Sequence, residues 1–282
     1  MTDHPAGNEV FRLDGVTLRR DGRAILCGID WTVRHGERWV VLGPNGSGKT
    51  SLVQILSTYL RTSEGTVTVF GRALARTSVH ALRREMGYLS PALLTLIPER
   101  LTAAQIVDSA QVGALIPWYL DAGELSRERT NEALAAAGVR DLDDRRYGQM
   151  SSGEQLRVQL ARALVSCPRA LLLDEPTANL DIGGREALIS SLATIAAGPM
   201  SAMVLIIHRL EDIPAGFTHG LLLRDGRIIA AGPLDEVLTD ETLSAGFGVP
   251  LRVSRIDGRF SARGHEEPHS AASRSSRSIA SR

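Results

Sequence analysis

One glycine-rich stretch determines how this sequence is interpreted: Gly43-Pro44-Asn45-Gly46-Ser47-Gly48-Lys49-Thr50, with the pattern G-x-x-x-x-G-K-[ST]. The apolar run Arg38–Leu42 precedes it, and Thr50–Leu60 follows with helical spacing. In a loop between a strand and a helix, glycines let backbone N–H groups and the positive end of the helix approach phosphate oxygens. The pattern therefore predicts a nucleotide-phosphate loop, and we call residues 43–50 the nucleotide loop.

Lys49 is the only lysine among the 32 lysine and arginine residues of the chain. A compact ammonium fits under the β- and γ-phosphates of a nucleotide, whereas a broad planar guanidinium does not. Arginine is thus used in place of lysine everywhere except at the one position where a phosphate loop requires lysine. The same pattern assigns Mg²⁺ to the hydroxyl of Thr50, and it places Ser51 within reach of another phosphate oxygen.

Length and charge narrow the classes of function. Of the 282 residues, 43% are hydrophobic, which is enough for one large core or two smaller ones. Basic and acidic residues both number 32, so no net charge attracts the chain to nucleic acid, and we expect no nucleic-acid partner. Met1–Pro5 does not resemble a signal peptide, and no apolar run approaches about 18 residues, so we expect no direct membrane insertion.

Strand-like and helical segments alternate in the order of a parallel α/β sheet, after a β-rich start in which Asp21-Gly22 is predicted to be a turn between two strands. Helical spacing dominates between about 92 and 150, which predicts a helical insert. From Arg255 onward the chain is rich in Ser and Arg, so we expect a folded domain over 1–254 and a disordered tail over 255–282. The other predicted strands are 10–13, 29–33, 65–70, 86–89, 170–173, 203–207 and the hairpin 221–230, and the other predicted helices are 102–115, 127–137, 151–166 and 185–197.

A second segment with side chains suited to catalysis is Ala170–Glu175, an apolar strand that ends in two carboxylates. Strand alternation points adjacent side chains to opposite faces, but at the end of the strand Glu175 can turn into the site. We predict that Asp174 holds Mg²⁺ through its hydration shell, and that Glu175 orients or deprotonates the attacking water.

A third element is the polar helix start Met150–Gln155. Its Ser151-x-x-Glu154 spacing is that of a capping box, which predicts that a helix begins here. The free N–H groups and positive dipole of such a start suit a second contact to a γ-phosphate.

Together these motifs resemble those of the ATP-binding cassette (ABC) ATPases over roughly residues 10 to 250. Met150–Glu154, which we call the signature segment, is similar to the family signature Leu-Ser-Gly-Gly-Gln with three changes, and it keeps Ser151 and Gly153. The other matches are Gly43–Thr50 with Walker A, Leu171–Glu175 with Walker B, Ala178–Asp181 with the D-loop and Ile206–His208 with the switch histidine.

The resemblance implies an α/β P-loop NTPase of ABC type, with a mixed-sheet ATP-binding core, an antiparallel β subdomain and an inserted helical subdomain. It also implies a head-to-tail dimer that binds two ATP molecules. Each ATP would lie between Walker A of one subunit and the signature segment of the other, where Ser151, Ser152, Gly153 and Glu154 are assigned to nucleotide binding together with Asp181. Glu175 and His208 would be the catalytic residues of a Mg²⁺-dependent ATPase.

Two positions depart from the family pattern. Pro91, after Gly87-Tyr88-Leu89-Ser90, stands where most members have a glutamine, and its side chain can neither donate nor ligate. Ser90 could substitute at Mg²⁺. Arg20 aligns with the aromatic residue that stacks on adenine, and its guanidinium can itself stack on a ring or remain an ordinary surface charge.

Two functions follow from the resemblance. The first is the ATPase subunit of a transporter, at the inner face of the cell membrane, with separate permease chains and a paired ATPase subunit as partners. The Ser-Pro variant and the signature segment resemble a bacterial branch associated with molybdenum or iron transport. The alternative is a soluble ABC ATPase that acts on ribosomes, nucleic acid or protein assembly. The apolar stretch Ala92–Pro98 is expected either to dock a permease or to be buried within the helical insert.

Overall fold

A six-stranded sheet forms the centre of the protein. The structure is a computed structural model that describes residues 8–90, 96–112, 125–178 and 180–265. The strands of this sheet are β3 (Arg38–Leu42), β6 (Met86–Leu89), β7 (Ala170–Asp174), β8 (Ala202–Ile206), β9 (His219–Arg224) and β10 (Arg227–Pro233). Their order is β10-β9-β3-β8-β7-β6, and every pair is parallel except β9 with β10. Because both faces of the sheet are covered, β3, β6, β7 and β8 are buried along their whole length.

A four-stranded antiparallel sheet packs beside this centre. It consists of β1 (Glu9–Arg20), β2 (Arg23–Arg34), β4 (Glu64–Val69) and β5 (Arg72–Ala73), in the order β2-β1-β4-β5. The Asp21-Gly22 turn, with φ of 50° and 76°, joins β1 to β2 as predicted. Phe11, Leu52 and Val204 are fully buried in one core that this sheet shares with the six-stranded sheet.

The α-helices of the described residues are α1 (Lys49–Leu56), α2 (Val79–Arg84), α3 (Ala103–Gln111), α4 (Arg127–Ala136), α5 (Ser152–Leu164), α6 (Ile182–Ala196), α7 (Leu234–Val237) and α8 (Asp240–Phe247). Ile106, Leu134 and Val158 belong to a separate core that joins α3, α4 and α5. This packing confirms an inserted helical subdomain. The described part of the chain has no helix with the length and apolar character that a bilayer crossing requires.

Helix ends differ from the prediction where local capping decides them. α1 ends at Leu56 rather than Leu60, because Thr58 adopts a left-handed φ of 67° that the helix cannot continue through. α6 begins at Ile182 rather than Arg185, because the carboxylate of Asp181 accepts a hydrogen bond from the N–H of Gly184.

The expected disorder from Arg255 onward is wrong as far as residue 264. β11 (Leu251–Ile256) and β12 (Arg259–Gly264) form an antiparallel hairpin around an Asp257-Gly258 turn. Phe260 is 8% exposed in the core that contains Phe217, and Leu251, Val253 and Ala262 of the hairpin pack against the same core. This burial stabilises the hairpin although its sequence has few apolar residues. Residues 266–282 lie outside the described part of the chain.

Candidate nucleotide-binding site

The nucleotide loop connects β3 to α1, and two glycines let it fit between β2 and β9. A Cβ on Gly43, whose φ is 145°, would lie 2.0 Å from the carbonyl oxygen of Leu223. A Cβ on Gly48, whose φ is 103°, would lie 2.7 Å from Cδ2 of Leu26. The sequence therefore requires glycine at these positions for packing as well as for access by phosphate.

The turn between β9 and β10 supports the loop from behind. The N–H of Gly226 donates to the carbonyl of Ser47 at 3.1 Å, and the N–H of Cys27 on β2 donates to the carbonyl of Gly226 at 2.9 Å. The sequence indicated a hairpin here, but its contact with the nucleotide loop joins residues distant along the chain and has no local sequence signal.

Lys49 lies in the concave side of the nucleotide loop. It is 5% exposed, and its Nζ donates to the carbonyls of Gly43 at 2.8 Å and Pro44 at 3.0 Å. Burial lowers the pKa of the Lys49 ammonium, and the charges of Glu175 and Asp174 oppose that shift. Among the residues that the structure describes, the side-chain oxygen of Ser47 is buried without a hydrogen-bond partner. Since buried polar atoms are rarely left unpaired, this cradle has the character of a ligand site.

Asp174, at the carboxyl end of β7, joins three elements of the site. Its Oδ1 accepts from the hydroxyl of Thr50 on α1 at 3.2 Å, and its Oδ2 accepts from the hydroxyl of Ser90 after β6 at 3.1 Å. Burial raises the pKa of the Asp174 carboxyl, and the hydrogen bonds from Ser90 and Thr50 oppose the shift. The predicted metal residues Thr50 and Asp174 are thus adjacent, and Ser90 is a direct partner of the carboxylate.

Glu175 and His208 meet at the neighbouring strand ends. Glu175 has a left-handed φ of 51°, which breaks the strand alternation after Asp174 and accounts for the predicted turn of its side chain into the site. Its N–H donates to the carbonyl of Ile206 at 3.2 Å, and His208 Nε2 lies 2.6 Å from Glu175 Oε1. The structure therefore brings the two predicted catalytic side chains into direct contact.

The signature segment begins α5 with the predicted capping box. Ser151 Oγ accepts from the N–H of Glu154 at 3.3 Å, and Glu154 Oε2 accepts from the N–H of Ser151 at 2.7 Å. The backbone hydrogen bond from Ser151 lowers the pKa of the Glu154 carboxyl. Ser151 and Ser152 are exposed, and a Cβ on Gly153 would lie 3.7 Å from Cδ2 of Leu180. Within the described residues, no hydrogen bond links this segment to the nucleotide loop.

The remaining predicted site residues lie outside this cluster. Asn45 and Gly46 are exposed at the tip of the nucleotide loop, and Ser51 is partly buried in the first turn of α1. Asp181 caps α6, so its carboxylate has a local partner in the free chain. Arg20 is exposed at the end of β1 with no side-chain hydrogen bond or ion pair within the described part of the chain. Pro91 and Asn179 fall outside the described residues.

Comparisons with known proteins agree with this geometry. The family model described as "ABC transporter" matches residues 26–178. The chain is 36% identical over 246 residues to the uncharacterized ABC transporter ATP-binding protein YlmA of Bacillus subtilis, covering 86% of this chain and 93% of that protein. It is 34% identical over 259 residues to the hemin import ATP-binding protein HmuV of Agrobacterium fabrum, covering 89% of this chain and 95% of that protein.

Solved structures show the same fold. The structure of cbiO1 from Clostridium perfringens, part of the ABC transporter complex cbiONQ, matches with a TM-score of 0.70 and 25% identity, covering 84% of this chain and 94% of that one. Because the family model covers the nucleotide loop through the strand of Asp174, the fold and the site point to one assignment. The chain belongs to the ATP-binding proteins of ABC transporters, a family of ATPases that bind ATP.

Proposed function

We propose that this protein hydrolyses ATP to ADP and phosphate with Mg²⁺, in a dimer that powers transport through separate permease subunits. The observation that carries the proposal is the adjacency of three groups of residues at the ends of β3, β7 and β8. Lys49 lies in the nucleotide loop, Thr50 is bonded to Asp174, and Glu175 contacts His208.

The donor set around Asp174 fits Mg²⁺. The ion prefers oxygen ligands, and the hydroxyl of Thr50 and the carboxylate of Asp174 lie 3.2 Å apart. When bound, Mg²⁺ would neutralise negative charge on the phosphate oxygens. Lys49 would exchange its present carbonyl partners for phosphate oxygens, and Ser47 would gain a partner for its buried hydroxyl.

Glu175 and His208 support attack by water at the γ-phosphorus. Glu175 would accept a proton from the water as the new phosphorus–oxygen bond forms and the bond to the bridging oxygen of ADP breaks. His208 would hold the Glu175 carboxylate in place through the 2.6 Å contact and donate to the γ-phosphate. These roles assign binding to the nucleotide loop and turnover to the Glu175–His208 pair.

A second copy of the chain would complete each site. The N-terminus of α5 exposes Ser151 and Ser152, and among the described residues no hydrogen bond joins it to the nucleotide loop of the same chain. Unpaired N–H groups at a helix start favour an anion. We assign Glu154 to support of this helix start, and Asp181 to the neighbouring D-loop contact.

The transport role rests on the relatives. HmuV is named for hemin import, which agrees with the iron-transport-like branch that the sequence resembles, and cbiO1 is described as part of a transporter complex. We therefore place the protein at the inner face of the membrane, attached through a permease. Its match to proteins named for ABC transport and hemin import, along most of their length, favours this function over a ribosome-associated ATPase.

Hydrolysis is tested by phosphate release from ATP by the purified full chain. Turnover should require Mg²⁺ and disappear with EDTA, and Lys49→Ala should weaken nucleotide binding because no other lysine can replace the ammonium. Arg61→Ala, an exposed basic position before β4, is the matched control and should bind ATP normally. Metal-independent turnover, or normal ATP affinity in Lys49→Ala, would contradict the proposal.

A further inference from the structure

A buried carboxylate lies just beyond the catalytic pair. Asp212 ends a short 3₁₀ turn four residues after His208 and is 4% exposed, although aspartate is seldom buried without a partner. Neither the nucleotide loop nor the Asp174 cluster contacts it by a hydrogen bond within the described residues.

The partners of Asp212 come from two other segments. Its Oδ2 accepts a hydrogen bond from Thr177 Oγ1 at 2.8 Å, and its Oδ1 lies 2.5 Å from Nε of Arg185 on α6. Thr177 is two residues after Glu175. Asp212 therefore connects the loop that carries Glu175 with the loop that carries His208, and it attaches both to α6.

The C-terminal hairpin contacts the first turns of α6, which carry Arg185. Arg259 on β12 donates two hydrogen bonds to Glu186, at 2.8 and 2.6 Å, directly after Arg185 in the sequence. Phe260, the next residue of β12, is 8% exposed and belongs to the same core as Leu188 of α6. The C-terminal hairpin thus holds the first turns of α6, on which the ion pair with Asp212 depends.

We propose that Asp212 is a positioning residue for ATP hydrolysis, an inference that rests on the proposed function. Through Thr177 and Arg185, it fixes the two loops so that Glu175 and His208 keep their 2.6 Å contact. Since the two loops follow different strands, a bond between them limits independent movement of the two side chains. A misplacement of about 1 Å can reduce a catalysed rate about 100-fold.

Two substitutions at Thr177 distinguish a positioning role from a packing role. Thr177→Val keeps the shape and removes the hydroxyl, whereas Thr177→Ser keeps the hydroxyl. We expect the kcat for ATP to fall about 10- to 100-fold in Thr177→Val and Asp212→Asn, while ATP affinity stays within about twofold of wild type. Thr177→Ser should recover most of the rate, and Glu211→Gln, a substitution at the adjacent partly exposed acid, is the control.

Thermal unfolding and circular dichroism establish that each variant is folded. If Asp212→Asn does not fold, the Thr177 pair still decides the proposal. A folded Thr177→Val protein with wild-type kcat would overturn it, and so would equal loss of rate in Thr177→Val and Thr177→Ser. If wild-type protein shows no ATP turnover, the proposed function fails first. If wild type is active and Thr177→Val is equally active, only the positioning role fails.

Discussion

The nucleotide loop and the signature segment differ in how complete each is within one chain. In the loop, Lys49 is buried and bonded, and Asp174 has partners from two further elements. In the signature segment, the bonds of Ser151 and Glu154 within the described part of the chain are to each other and to nearby residues, and the helix start is exposed. The comparison shows that the loop side is assembled within one chain, whereas the helix start of the signature segment is left open, as the proposed shared site requires.

Replacing Glu175 should produce the largest loss of ATP hydrolysis. The effect should be limited to the side of the site that contains the nucleotide loop. Glu175→Gln removes the proton acceptor but keeps the size of the side chain, so turnover should fall about 10²- to 10⁴-fold while ATP binding is retained. Steady-state phosphate release and equilibrium binding of ATP measure the two quantities. Glu64→Gln, at the exposed start of β4, is the control, and unchanged hydrolysis in Glu175→Gln would remove Glu175 from the mechanism.

Replacing Leu96 tests whether the helical subdomain contacts a permease, independently of ATP hydrolysis. Of the stretch expected to dock a permease or to be buried, Ile97 is 7% exposed in the helical core and Leu96 is 51% exposed, so the described part shows both environments. Leu96→Glu should reduce membrane co-fractionation in the native host several-fold and leave basal ATP hydrolysis unchanged, because it replaces an exposed apolar side chain with a charge.

Val249→Glu, at an apolar position with 52% exposure outside the helical subdomain, is the matched control. Undiminished membrane association of folded Leu96→Glu protein would exclude Leu96 from the permease contact.

Replacing Ser90 should produce the smallest effect, and this effect should be on Mg²⁺ affinity rather than on nucleotide affinity. Ser90→Ala removes one hydrogen bond to Asp174 worth about 1 kcal/mol, so the apparent Mg²⁺ affinity should change about three- to tenfold. A Mg²⁺ titration of bound fluorescent ATP analogue measures this without turnover. Ser109→Ala, a buried serine of α3, is the control, and an identical titration curve would show that Ser90 does not orient Asp174.

Much of the loop side could be predicted because its signals are local. The pattern of Gly43–Thr50, the apolar strand before Asp174 and the capping spacing of Ser151 and Glu154 each depend on neighbours in sequence. The structure bears out the strands, the helical insert and the capping box. The roles of the individual site residues remain predictions.

The features that were missed depend on distant contacts. Asp212 pairs with Thr177 and Arg185 across separate loops, and no spacing rule connects these three positions. The C-terminal hairpin was predicted to be disordered because residues 255–264 have few apolar side chains, yet Phe260 finds its partners in the core around Phe217. Only the Asp257-Gly258 turn offered a local signal for the hairpin.

Subunit mixing tests most directly whether two chains share each site. Lys49→Ala and Ser151→Arg subunits should each have little activity alone, because one lacks the phosphate contact of the loop and the other blocks the helix start. In an equal mixture, random pairing leaves about a quarter of the wild-type number of sites intact, all in heterodimers. ATP hydrolysis should therefore reappear in purified, differently tagged heterodimers. Heterodimers that form but hydrolyse no more ATP than either parent would contradict the shared site.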